Sequence, residues 1–351
     1  MAKIRAFLKQ ILEEFRATFP DNPNFCGALA LYHLCVGELD EALLETDRAF
    51  SLSLTDQGFI GFKGDILLCR GELEKAEVEY RKLIKPENLV PSIWGRFGLW
   101  CLDLLRGRFR QGLNELAQAL ELAQKIEPKY HEISTRSRLS YTNFSMGRLS
   151  ASLEEAEKAE EIAKGVGPHW TTDELVQHWT LRPLLMKGLS DLRMGSLEKA
   201  SRAADDIGAL NLYPAERRWH LYLIGLIELA KKNNVQAIEY LKEALSLDPH
   251  QWGVDNSAFF MEALARAYFQ SGDLENARKQ YEKITRLTSG RVRYGDIYAN
   301  SFYRLGRIFE QKGDKLQARE NYLKFLALWK DADPGLPEVD DARARLAGLG
   351  I

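Results

Sequence analysis

The chain is poor in the features that mark most other classes of protein. Its 351 residues include only 11 prolines and 4 cysteines and no low-complexity stretch, which excludes a long disordered linker. No run of about 18 uncharged apolar residues occurs, so no membrane span is encoded. The opening residues Met1-Ala2-Lys3-Ile4-Arg5-Ala6-Phe7-Leu8-Lys9-Gln10 interrupt their apolar side chains with Lys and Arg, and the unbroken core of a signal peptide is missing. Cys26, Cys35, Cys69 and Cys101 form no C-x-x-C pair, which removes zinc and redox motifs and leaves free thiols in a reducing cytoplasm as the expectation. An excess of one charge is missing too. With 48 Lys plus Arg against 50 Asp plus Glu, the net charge is -2, and no global field gathers a polyanion. A dedicated nucleic-acid binder is therefore not expected.

Catalytic signals are equally sparse. The six histidines are scattered, and their one notable grouping, His169-Trp170 with His178-Trp179, is spaced by nine residues rather than the four that place two ligands on one helix face. Packing is the favoured reading for them. No Gly-x-Ser-x-Gly elbow is present. Carboxylates fall in solvated helical runs such as Glu154-Glu155-Ala156-Glu157-Lys158-Ala159-Glu160-Glu161. The expectation is no enzyme, no cofactor and no metal.

What the chain has is internal repetition on a globular balance of 45% hydrophobic and 28% charged residues. A turn and an Ala-anchored helix recur as Gly37-Glu38-Leu39-Asp40-Glu41-Ala42, Gly71-Glu72-Leu73-Glu74-Lys75-Ala76, Gly195-Ser196-Leu197-Glu198-Lys199-Ala200 and Gly272-Asp273-Leu274-Glu275-Asn276-Ala277. Weaker copies start at Gly107, Gly147 and Gly313, and Asn233-Asn234 replaces the turn in another. Gly suits the left-handed residue that ends a helix, and the Asp, Glu or Ser after it offers an oxygen to the next helix's free N–H groups. Ala lets two helices approach. A small residue also recurs seven positions before the turn, at Ala30, Gly64, Gly188, Ala265 and Gly306, which implies that a neighbouring helix needs the space.

These residues resemble the tetratricopeptide repeat, over nearly the whole chain. The resemblance implies an all-α, right-handed solenoid of about eight helical hairpins, with an N-terminal orphan helix and a C-terminal capping helix. It is weakest where Gly112 and Ser152 replace the anchoring Ala, and the first five turn glycines are spaced by 34, 36, 40 and 48 residues. The middle units must then carry longer helices or an inserted connector. The expected organisation is a sub-array over 1–164 (repeats about 23–55, 57–88, 91–125 and 128–164), a connector or extra helix over 165–180, a second sub-array over 181–336 (repeats about 181–210, 214–249, 254–288 and 291–332) and a cap over 337–351.

In the resembling family the first helix of each hairpin lines a concave wall. Carried over by position, that wall holds Trp94, Phe97, Tyr141, Phe144, Trp219, Tyr222, Phe259, Glu262, Arg266, Phe269, Tyr303 and Arg307. An aromatic groove interrupted by Arg and Glu suits a protein or peptide partner. The competing expectation for half or more of the aromatics is packing between repeats. The matching positions Asn24, Gly27, Leu31, Gly58, Gly61 and Asp65 lack the lysines of the family's clamp for a terminal carboxylate, so that clamp is not expected. The stretch from Gly295 to Glu338 resembles the C-terminal repeat region of bacterial multidomain signalling proteins such as eukaryotic-like Ser/Thr kinases, which implies a sensory or recruiting module. A regulatory domain that binds a small apolar ligand or lipid in the groove is the alternative.

Overall fold

The structure, a computed structural model, describes residues 2–53, 58–127, 129–165, 173–210, 213–248, 257–288 and 290–350. Among them are nineteen α-helices and no strand, as the repeat pattern requires. A lone helix α1 (Ala2–Thr18) is followed by hairpins of α2 (Pro23–Val36) with α3 (Leu39–Leu52), α4 (Gly58–Arg70) with α5 (Leu73–Lys82), α6 (Leu89–Leu105) with α7 (Phe109–Ala123), and α8 (Tyr130–Ser145) with α9 (Leu149–Lys164). Next come α10 (Asp173–Arg193) with α11 (Leu197–Ala209), α12 (Arg217–Ala230) with α13 (Asn234–Ser246), and α14 (Ser257–Gln270) with α15 (Leu274–Arg286). A single turn, α16 (Gly290–Arg293), leads into the eighth hairpin, α17 (Gly295–Gln311) with α18 (Lys315–Leu328), and α19 (Pro337–Gly348) packs against that hairpin. This is an all-α solenoid with an orphan helix in front and a cap behind. Of the stretch 165–180, expected to be a connector or extra helix, the residues from Asp173 onward belong to α10. α10 has 21 residues and runs through Pro183. Gly167, Pro168, His169, Trp170, Thr171 and Thr172 lie outside the described residues.

The local logic of the repeat is visible at the turns. Gly37 has φ 86°, and Glu38 N–H donates back to the His33 carbonyl at 2.9 Å, closing the first helix. Lys232 holds the same left-handed conformation at φ 66° without being glycine, with Asn233 N–H on the Glu228 carbonyl at 2.9 Å. The expected side-chain caps are confined to aspartate. Asp273 accepts from Asn276 N–H at 3.0 Å and Asp314 from Gln317 N–H at 3.1 Å. Glu38 instead turns to His33 Nδ1 at 2.7 Å, Glu72 turns to Lys75 and Arg70, and Ser196 makes no cap. The Ala anchors Ala42, Ala76, Ala200, Ala277 and Ala318 are all fully buried.

The small residues of the first helices make room for large ones of the second. A Cβ on Gly64 would sit 2.4 Å from the Tyr80 ring, and one on Gly306 would sit 2.6 Å from that of Tyr322. Each tyrosine hydroxyl then donates to a carboxylate of the first helix, Asp65 at 2.6 Å and Glu310 at 2.7 Å. The two divergent anchors have their own reason. At Gly112 the missing methyl admits the Trp100 ring, whose Nε1 donates to Thr142 at 2.9 Å. At Ser152 the hydroxyl links Ser140 at 3.1 Å to Ser190 at 2.9 Å, which ties α8, α9 and α10 together by a buried polar ladder.

The array does not stay open. It winds until the segment after α15 meets the first hairpins. Thr288 Oγ1 donates to the Leu34 carbonyl at 3.2 Å, Cys69 Sγ donates to the Thr288 carbonyl at 3.1 Å, and Arg291 Nη1 donates to the Cys69 carbonyl at 3.0 Å. Further on, Asp333 N–H reaches the Gly107 carbonyl at 3.0 Å, and Arg110 N–H donates to Asp333 Oδ2 at 2.9 Å. Trp329, 2% exposed, stands edge-on to Phe109 with centroids 5.7 Å apart. One apolar cluster accordingly unites Leu67, Leu99 and Leu105 with Tyr303, Phe325 and Val339. The eighth hairpin closes the ring.

Candidate functional site

Closure splits the concave wall in two. One part becomes a half-open cavity of about 430 Å³, lined by α4, α6, α8, α10, α14 and α16. Trp94, Phe97 and Tyr141 line it, together with Phe259 and three cations absent from the sequence reading, Arg138, Arg182 and Arg293. Trp94 is 43% exposed and marks the edge that solvent reaches.

Each cation has a different setting. The Arg138 guanidinium lies 4.0 Å above the centroid of Phe97 and 5.6 Å from that of Trp100, and it donates to the Ser134 carbonyl at 3.0 Å and to the Ser134 hydroxyl. Arg182 stacks 4.7 Å from the Trp219 centroid and reaches the Tyr294 hydroxyl at 3.4 Å. Arg293 is part-buried and, among the described residues, makes no hydrogen bond and no ion pair. Burial, reinforced by the charges of Arg293 and Arg182, pushes Arg138 down to about 9. Burial lowers Arg293 as well.

Among the described lining residues Asp65 is the one carboxylate, and its Oδ1 is occupied by the Tyr80 hydroxyl at 2.6 Å. Burial raises its pKa to about 6. Tyr141 donates to both oxygens of Asp296, at 3.0 and 2.9 Å, across the closure. Burial raises Asp296 to about 6 also, against the lowering effect of that hydrogen bond.

The other part of the wall is an outer rim toward the ends of the first helices. There Arg193 is exposed, lies 5.0 Å from the Phe144 centroid and donates to the Phe144 carbonyl at 2.5 Å. Arg266, also exposed, stands 3.6 Å from Glu262, and its charge adds to burial in lowering Arg193. Arg307 lies 5.9 Å from the Phe269 centroid. Of the residues assigned to the wall by position, Phe144, Glu262, Arg266, Phe269 and Arg307 meet on this rim.

Three more lie inside the core. Trp219 has no exposed surface and packs on Phe260 at 4.8 Å, Tyr222 packs on Phe259 at 4.9 Å, and the buried Tyr303 donates to Asp341 of the cap at 2.7 Å. Arg138 was within reach of sequence reasoning, since it sits three residues before Tyr141 on the same helix face. Arg293 was not, because it belongs to a connector that only closure brings to the cavity. The four cysteines are free thiols, and no group of three or more His, Cys, Asp or Glu able to hold a metal occurs among the described residues. No described helix is long and apolar enough to cross a membrane.

Models of the tetratricopeptide repeat match residues 185–251, 228–300 and 299–328. Repeats of this kind are thus found through the second half of the chain, where the anchoring Ala is kept. No curated protein matches the sequence. Among solved structures, human IFIT1, a dimer with PPP-AAAA, superposes with a TM-score of 0.52 at 18% identity, over 93% of this chain and 73% of that one. A tetratricopeptide repeat protein from Parabacteroides merdae covers 94% of this chain and 99% of its own at 13% identity, with a TM-score of 0.42. At such identities the likeness to IFIT1 concerns the fold alone.

Proposed function

We propose that this repeat array is a non-catalytic scaffold that holds a protein partner on the outer rim, through a partner segment combining acidic with apolar side chains. Tetratricopeptide repeats imply protein interaction in general, and the rim supplies the particulars. The observation that carries the reading is the set of guanidiniums Arg193, Arg266 and Arg307 placed beside Phe144 and Phe269 on the part of the concave wall left accessible by closure. Arg and aromatic side chains supply most of the energy at protein interfaces, and the paired stacking holds the guanidiniums in place before a partner arrives. Glu262 and Glu338 leave the rim mixed in charge, which favours a partner segment of mixed character over a uniform polyanion.

The resemblance of the last repeat to bacterial signalling proteins supports a recruiting role in a cytoplasmic signalling assembly, a setting in keeping with four free thiols. An apolar ligand or lipid in the cavity is the weaker reading, because it would strip water from Arg138 and Arg293 and return no hydrogen bond. The test is selection of binding peptides from a displayed library, followed by measurement with the Arg266→Glu, Arg307→Glu double variant. Peptides enriched in Asp and Glu that lose at least tenfold in affinity for the folded variant support the rim. Selected peptides that bind the variant as well as the parent chain refute it.

A further inference from the structure

An end cap needs an apolar inner face and a polar outer one, and the last helix carries more than that. α19 has 12 residues, of which Val339 and Ala342 are buried. Beside this narrow apolar strip, Glu338, Asp341 and Arg345 share a second face of the helix. Asp341 accepts from the hydroxyl of Tyr303, a residue assigned to the concave wall by position, at 2.7 Å. Arg345 reaches Asp341 at 2.6 Å and Glu310 at 3.0 Å. Burial raises the Asp341 carboxyl, but the hydrogen bonds from Arg345 and Tyr303 and the charges of Arg345 and Arg307 outweigh it and hold the group below its ordinary range. Glu338, one turn earlier on that face, acts by its charge on Arg193, against the lowering by burial and by Arg266. The acids of α19 are thus directed at Arg307 and Arg193, two of the guanidiniums of the rim.

The helix is also placed to come away. Trp329 and Asp333 hold the seam before α19 begins, through the Phe109 ring and the Gly107 carbonyl. Between that anchor and the helix stands Gly335, at φ 82°, where an added Cβ would meet nothing within 4 Å. A glycine with no neighbours to disturb can absorb a change of backbone direction, so α19 has a hinge and the ring stays closed when it swings. Once released, α19 keeps its own reasons to be helical: Pro337 opens it, Glu338 and Asp340 lie in its first turn, and Arg345 lies in its last. We infer that α19 is a detachable internal ligand of the rim, and that the partner is an acidic amphipathic helix spaced like Glu338 with Asp341 and Val339 with Ala342, which binds by displacing it. The inference rests on the rim as the partner site. Partner affinity is then reduced in proportion to the fraction of chains in which α19 is docked.

The experiment is titration of the full chain with a fluorescein-labelled synthetic peptide of residues 334–351, followed by anisotropy. Ala342 is fully buried, so Ala342→Glu sets a charge where α19 packs and releases the chain's own helix from its place. The peptide is expected to bind Ala342→Glu tenfold or more tightly than it binds the parent chain, and to lose tenfold or more when Arg307→Glu is added. If Ala342→Glu fails to fold, Asp341→Ala on a part-buried side chain takes its place, with binding at least threefold tighter than to the parent expected. Equal binding to the parent and the folded variant, no binding to the variant, or binding indifferent to Arg307→Glu overturns the inference. Peptides selected on the rim give a second readout in the parent chain: the α19 amides should exchange faster when such a peptide is bound, and unchanged exchange overturns displacement. Selected peptides that ignore Arg266→Glu, Arg307→Glu defeat the rim reading instead, while the 334–351 peptide, read without them, still decides whether α19 is a detachable ligand.

Discussion

Closure of the ring can be measured against a control built into the chain. Gly71 and Gly107 end the first helices of adjacent hairpins with φ 79° and 70°, so Ala at either position meets the left-handed penalty of about 1–2 kcal/mol. Their surroundings differ. A Cβ on Gly71 meets nothing within 4 Å, whereas one on Gly107 lies 2.8 and 3.0 Å from atoms of the Trp329 ring and 2.9 Å from the Ala332 Cβ. Ordinary carbon contacts are about 3.5–4.0 Å. Trp329 cannot swing away freely, because Phe109 and Phe325 pack on it at 5.7 and 4.9 Å between centroids. Overpacking of this kind costs about 1–3 kcal/mol. Gly107→Ala should therefore lose about 1–3 kcal/mol more than Gly71→Ala, read as the difference in urea midpoints at a common slope. Hydrogen exchange locates the loss: the Asp333 amide, bonded to the Gly107 carbonyl, should exchange faster in the Gly107 variant alone. Equal destabilisation of the two variants, within about 0.5 kcal/mol, would mean that the seam contributes nothing to stability.

Two further predictions concern buried groups, beside those already attached to the rim and to α19. Asp296 has its folded pKa raised from 3.8 to about 6, so the native state binds the proton more tightly than the unfolded chain does, and this contribution to stability is lost as pH rises from about 4 to about 6. Asp296→Asn, which still accepts from Tyr141, should gain relative to the parent by roughly 2 kcal/mol between pH 4 and pH 7; parallel stability curves over that range would show that Asp296 titrates normally. Burial raises the Cys69 thiol and pushes Cys101 up to about 12, and both side chains are buried while Cys35 is only partly so. In a native-state iodoacetamide time course followed by mass spectrometry, Cys35 should be modified first, and equal labelling of Cys101 would contradict the burial.

The hairpins were readable in the sequence because their cause is local. Gly at the turn and Ala five residues later each answer to contacts within one hairpin, and in the copy where Asn233-Asn234 replaces the turn, Lys232 takes the same left-handed backbone conformation. The concave wall was harder to read for the opposite reason. A positional count treats each hairpin as facing open space, and Trp94, Phe97 and Tyr141 do face the interior. Trp219 has the same expected register, yet it is covered by Phe260 on one side and by Arg182 on another. The seam joins Leu34 to Thr288 and Gly107 to Asp333, residues more than 200 positions apart with no motif in common. Nothing in a repeat of about 34 residues specifies how far the stack turns per unit.

An open stack can gain or lose a unit with little consequence, since each unit answers only to the ones beside it. A stack whose end returns to its beginning has a circumference to complete. Deleting one hairpin here would leave Trp329 and Asp333 a full unit short of Phe109 and Gly107, and inserting one would carry them past. Duplication and loss, the ordinary route by which repeat proteins change length, are thereby closed to this chain. It must vary instead by substitution within a fixed number of units.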